Sequence, residues 1–112
     1  MLLAQAPGKP DGDVEDRLTM DVRLNHHGQI DLDAFHSAPT PWLARREVAG
    51  HQPRDLEIIR IDEGWALQST RSEDNDPIWT FDGHVFRPGE LVRLRRPEGQ
   101  EFLFRIVSTE QA

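Results

Sequence analysis

Histidines and carboxylates are the side chains in this 112-residue chain with the greatest capacity for chemistry. His26, His27 and His36 stand close enough in sequence to invite a metal reading, and a zinc centre needs three or four converging donors. Their expected placement separates them. His26 and His27 fall in a turn between two strands, whereas His36 follows the second strand at its far end, about 25 to 30 Å away at ~3.3 Å per residue. The expectation is therefore solvated turn histidines and no metal site. Asp31 and Asp33 would share one side of a strand, with Asp21 across from Asp33, and paired carboxylates can divide acid and base roles. Arg23 is placed opposite Asp31, however, and tuned catalytic carboxyls need burial. A salt-bridged outer face is the better reading.

Nucleophile and phosphate chemistry find less support. His36-Ser37 are chain neighbours that do not face each other, and no Gly-x-Ser-x-Gly elbow occurs. Gly8-Lys9-Pro10 is not a P-loop, and Gly-x-Gly-x-x-Gly is absent. The chain has no cysteine, which rules out disulfides, thiolate catalysis and cysteine metal sites. No catalytic residue and no cofactor is expected, and an enzyme or metal-binding protein ranks third among the readings of function.

The most informative surface pattern lies near the end of the chain. Leu91, Leu103 and Val107 alternate with Arg93, Arg95 and Arg105 on one face of a hairpin. Arginine is enriched and lysine depleted at protein interfaces, and Lys9 is the only lysine in the sequence. The expected function is a non-catalytic interaction module that binds a protein partner or a second copy of itself through Leu91, Arg93, Arg95, Leu103 and Arg105. The alternative is a small nucleic-acid-binding β-domain that uses the same arginines. A net charge of −7 argues against whole-molecule attraction to nucleic acid or an anionic membrane while permitting a local basic patch.

Hairpins must position these residues. Three alternating apolar runs each meet a spacer ending in glycine and then resume: His26-His27-Gly28, Asp62-Glu63-Gly64 and Pro97-Glu98-Gly99. In a three-residue hairpin loop a type I turn is followed by a left-handed residue that glycine supplies without steric cost. The last loop pairs Arg95 with Glu101, Leu94 with Phe102, Arg93 with Leu103, Val92 with Phe104 and Leu91 with Arg105, so that Val92, Leu94, Phe102, Phe104 and Ile106 share a core face. The first pairs Leu24 with Ile30 and Val22 with Leu32. The second pairs Ile61 with Trp65 and Ile59 with Leu67, with Leu56 and Ile58 making the opposite face apolar as well, as in a central strand covered on both sides. A fourth reversal is expected at Asp82-Gly83, between Ile78–Phe81 and His84–Phe86.

Two segments depart from the strand rhythm. Gln5–Arg17 holds prolines, glycines and acids with one large apolar residue, Val14, and reads as a flexible tail. Thr40-Pro41 and Gly50 bracket Trp42–Ala49 with helix start and stop signals, so a short helix is expected there, with a strand over Trp42–Val48 as its rival. The resulting expectation is an all-β domain over residues 18–108, between tails at 1–17 and 109–112. It is a small sandwich or partly open barrel of about six to eight mostly antiparallel strands. The start lacks the basic flank of a secretory signal, and no apolar run approaches ~20 residues, so a cytoplasmic location is expected.

Overall fold

The computed structural model describes residues 1–61, 64–70, 79–81 and 85–109. Among them, eight antiparallel strands and one short helix occur: β1 (Leu2–Gln5), β2 (Asp13–Met20), α1 (Leu32–Ser37), β3 (Trp42–Val48), β4 (Arg54–Ile61), β5 (Gly64–Ser69), β6 (Trp79–Phe81), β7 (Leu91–Arg95) and β8 (Glu101–Arg105). The strands pair in sequence order and β1 also pairs with β8, so the sheet closes into a barrel. Closure removes the free edges that would otherwise invite aggregation.

The inner face of the barrel is the core. Leu18, Ile58, Leu67, Leu94 and Phe104 are fully buried inside it, with Trp65, Phe81 and Val92 beside them. Outward positions carry charge. Arg17 pairs with Glu47, Arg45 with Asp55 and Arg95 with Glu101 across neighbouring strands. This apolar-in, charged-out alternation is the inverse of the pattern in a barrel that faces lipid. Among the described residues, no helix is long and apolar enough to cross a membrane.

The last hairpin has the expected register at every position from Leu91–Arg105 to Arg95–Glu101. Its loop closes through Arg96 N–H to Gln100 C=O at 2.9 Å and Gly99 N–H to Arg96 C=O at 2.9 Å, with Gly99 at a φ of 96°. The first turn also closes as expected. Asn25 N–H donates to Gln29 C=O at 2.8 Å, and Leu24 bridges Ile30. The ladder then stops, because Asp31 caps α1 by accepting from the Ala34 N–H at 3.1 Å. Leu32 and Asp33 therefore lie in a helix rather than opposite Val22 and Asp21. Phe35 from this helix packs edge-on against Trp42 and Trp65, with centroids 5.2 and 5.0 Å away, and closes one end of the barrel.

Four other expectations are corrected. Trp42–Val48 is strand β3, not a helix: it pairs with β2 on one side and β4 on the other, and a doubly paired strand outweighs local helix signals. The β4–β5 register is Ile61 with Gly64, Arg60 with Trp65 and Ile58 with Leu67, one residue from the three-residue-loop pairing. Leu56 and Ile58 therefore face inward opposite Ala44 and Trp42 of β3, while Ile59 and Ile61 are half-buried on the outer side. Ala66 of β5, which pairs with Ile59 on that outer side, is fully buried, so the outer face of β4–β5 is partly covered as well. The expected reversal at Asp82-Gly83 lies outside the described residues; beyond it Val85 and Phe86 are not strand, and β6 pairs instead with β7 through Phe81–Leu94.

The fourth correction is the largest. Residues 1–17, read as a tail, form β1 and half of β2. Ala6 and Lys9 exchange backbone hydrogen bonds of 3.1 and 2.9 Å around Pro7-Gly8, with Gly8 at a φ of 78°, as a turn with proline second and glycine third requires. Lys9 Nζ then lies 2.9 Å from Asp13 Oδ2, and its hydrogen bond, joined by the Glu15 N–H, holds the Asp13 carboxyl below its ordinary range.

Candidate functional site

Closure by β1 extends the face predicted from the last hairpin. Leu91 pairs with Arg105, Arg105 with Leu2, and Leu2 with Arg17, so one outward row crosses β7, β8, β1 and β2. The next row joins Arg93 to Leu103 and Leu103 to Gln5. The structure thus brings Leu91, Arg93, Leu103 and Arg105 together on the outside of the barrel, with Arg95 one step further along β7. Leu91 is 43% exposed and Val107 50% exposed, while Leu103 and Leu2 are half-buried among the arginine side chains. The Glu101 carboxylate lies 3.4 Å from Arg93 Nε and 3.2 Å from Arg95 Nε as two ion pairs, with all three side chains about half exposed. Such exposed pairs contribute little to stability, on the order of 0.2–1 kcal/mol, which leaves the guanidiniums available for other carboxylates.

A second polar group occupies one end of the barrel and escaped the sequence reading. Asp16 of β2 is 1% exposed, and Arg46 of β3 holds its carboxylate with both arms of the guanidinium: Nε to Oδ1 at 3.1 Å and Nη2 to Oδ2 at 2.7 Å. The Arg46 guanidinium also lies over Trp79, 4.8 Å from its ring centre, and 5.9 Å from that of Phe102. Arg96, from the β7–β8 turn, lies over the same two rings at 5.0 and 5.9 Å. Trp79 and Phe102 meet edge-on at 4.8 Å. Arg96 Nε is enclosed and has no hydrogen-bond partner among the described residues, a desolvation that costs about 1–3 kcal/mol if nothing accepts its proton. Beneath this group is a void of about 20 Å³ between Arg46, Leu18, Leu67, Trp79 and Phe104, room for little more than one water.

Arg46 is found at an inward position of β3 beside the apolar Ala44, and Arg96, just past the end of β7, continues the inward parity of Val92 and Leu94. Their inward parity was readable in the alternation; their ring partners were not. The open groove of about 480 Å³ at the opposite end has, among the described residues, Asp21 as its one charged lining side chain. The His26 and His27 rings lie 3.9 Å apart, tilted at 42° to each other, His36 is in the last turn of α1, and among the described residues no three His, Asp or Glu side chains converge as metal ligands. The class this geometry defines is a closed, eight-stranded antiparallel barrel with a packed interior and a mixed apolar and arginine outer face. No family model, curated protein or solved structure matches the chain.

Proposed function

We propose that the protein is a non-catalytic interaction module whose outer β7–β8–β1 face binds a protein partner rich in surface carboxylates. The observation that carries this reading is the continuity of Leu2, Leu91 and Leu103 with Arg93, Arg105 and Arg17 across three strand pairings. Apolar side chains framed by arginine match the composition of interface centres. Charge selects the partner. A two-fold pairing of this face with itself would set arginine against arginine, a like-charge arrangement that disfavours the contact, whereas an acidic surface would meet the guanidiniums with opposite charge.

Leu103→Glu tests the reading, with Leu43→Glu on β3 as a control at another exposed leucine, itself 48% exposed. Both variants should fold with melts within about 0.5 kcal/mol of the parent, as surface substitutions do. A partner that co-purifies with the parent protein should be retained by Leu43→Glu and lost from Leu103→Glu, with association weakened by at least about 2 kcal/mol. Retention by folded Leu103→Glu contradicts the proposal. So does self-association in sedimentation that survives Leu103→Glu, or recovery of nucleic acid released steeply by salt.

A further inference from the structure

Arg96 is an unusual turn residue. Its backbone closes the Pro97–Gly99 loop, yet its side chain turns inward and is only 27% exposed, lying over Trp79 and Phe102. Among the described residues the nearest carboxylate oxygen is that of Glu98 at 3.8 Å, on a side chain 49% exposed. Arg46, over the same rings, differs in having its Nε and Nη2 committed to Asp16, which leaves its Nη1 edge uncommitted among the described residues. The charge of Arg46 is therefore matched by a buried carboxylate, and that of Arg96, among the described residues, is met only by a solvated one beyond hydrogen-bond distance. A guanidinium held against aromatic rings is preorganised for a planar or tetrahedral oxyanion, because its fork of donors matches two oxygens at once and little side-chain freedom remains to be lost.

We propose that this end of the barrel binds an oxyanion, the carboxylate or phosphate group of a small ligand, received by the outer edge of Arg96 and the Nη1 edge of Arg46 above the Trp79–Phe102 pair. The site is separate from the β7–β8–β1 face: Arg95 points outward on that face and Arg96 inward at the barrel end. The ring pair supplies a dry backing that strengthens charge-assisted hydrogen bonds relative to open water.

Titration of the full chain with acetate and with inorganic phosphate, each against chloride at equal ionic strength, tests this. In ¹⁵N spectra the Arg96 Nε–H resonance should move saturably with at least one oxyanion and stay still with chloride, and the arm that saturates tells carboxylate from phosphate. Tryptophan fluorescence should follow the same curve, and Trp79→Phe should remove the response because Trp42 and Trp65 pack at the helix-capped end. Arg96→Gln should weaken binding about tenfold or more, as loss of one charge-assisted contact implies, with Arg96→Lys intermediate. A linear response shared with chloride, or an Arg96→Gln protein that binds like the parent, overturns the proposal. If both variants unfold, an unmoved Arg96 Nε–H signal in the parent overturns it on its own.

Discussion

Replacing Arg46 with alanine will lower the stability of the barrel by about 3–5 kcal/mol, the cost of leaving a buried charge without its partner. Asp16 has a side chain only 2% exposed and, among the described residues, its carboxylate accepts from Arg46 alone, so the substitution strands a carboxylate inside the sheet. Asp16→Ala should cost less, because Arg46 is 25% exposed and keeps its contact with Trp79 while its guanidinium reaches water. Removing both groups should cost less than the sum of the two single losses, since the residues form one unit. Filling the space with Asp16→Leu and Arg46→Met together should be nearly neutral or stabilising, as apolar replacements of buried pairs often are. Urea denaturation of the four proteins measures all of this. Equal, small losses for both single variants would show that the pair is solvated.

The second large effect belongs to Gly12. A β-carbon there would lie 2.2 Å from the Leu3 carbonyl oxygen and 2.8 Å from backbone atoms of Ala4, and Gly12 has a φ of 75°. Gly12→Ala combines a left-handed alanine with a collision against β1, a loss of about 2–5 kcal/mol. Gly8 provides the internal control, with a φ of 78° and nothing within 4 Å of an added β-carbon. Gly8→Ala should therefore show only the conformational part, about 1–2 kcal/mol. Against a typical domain stability of about 5–15 kcal/mol, the difference is readily seen in denaturant midpoints. Equal effects of the two alanines would mean that the Gly12 backbone does not pack on β1.

The contrast between these sites explains what could be read from sequence. Turn chemistry joined to alternation fixed the β7–β8 register, because Pro97-Glu98-Gly99 and the pairing of Val92 with Phe104 require the same frame. The same logic failed at β4–β5, where Gly64 is a strand residue without a left-handed φ and Leu56 and Ile58 are held inward by β3. Glycine in a spacer does not by itself say whether the loop has two or three residues. In the first 17 residues, composition obscured a turn that Ala6-Pro7-Gly8-Lys9 spells out. Strands β1 and β2 gain their order from β8 and β3, contacts that no local window contains. The outer face was legible because it alternates within one hairpin, whereas Leu2 joined it only through closure. The Arg46–Asp16 pair spans 30 residues and places two charges in an otherwise apolar inward row, so alternation gives its parity but not its pairing.

Strand β1 carries the central claim, since it both closes the barrel and adds Leu2 to the proposed binding face. Interstrand nuclear Overhauser contacts test it most directly. The structure predicts contacts from Leu3 to Phe104 and from Leu2 to both Arg105 and Arg17, with amide protection in β1 exceeding that of the turn around Gly8. Random-coil shifts over residues 1–12, with no contact between Leu3 and Phe104, would contradict the closed barrel and remove Leu2 from the face.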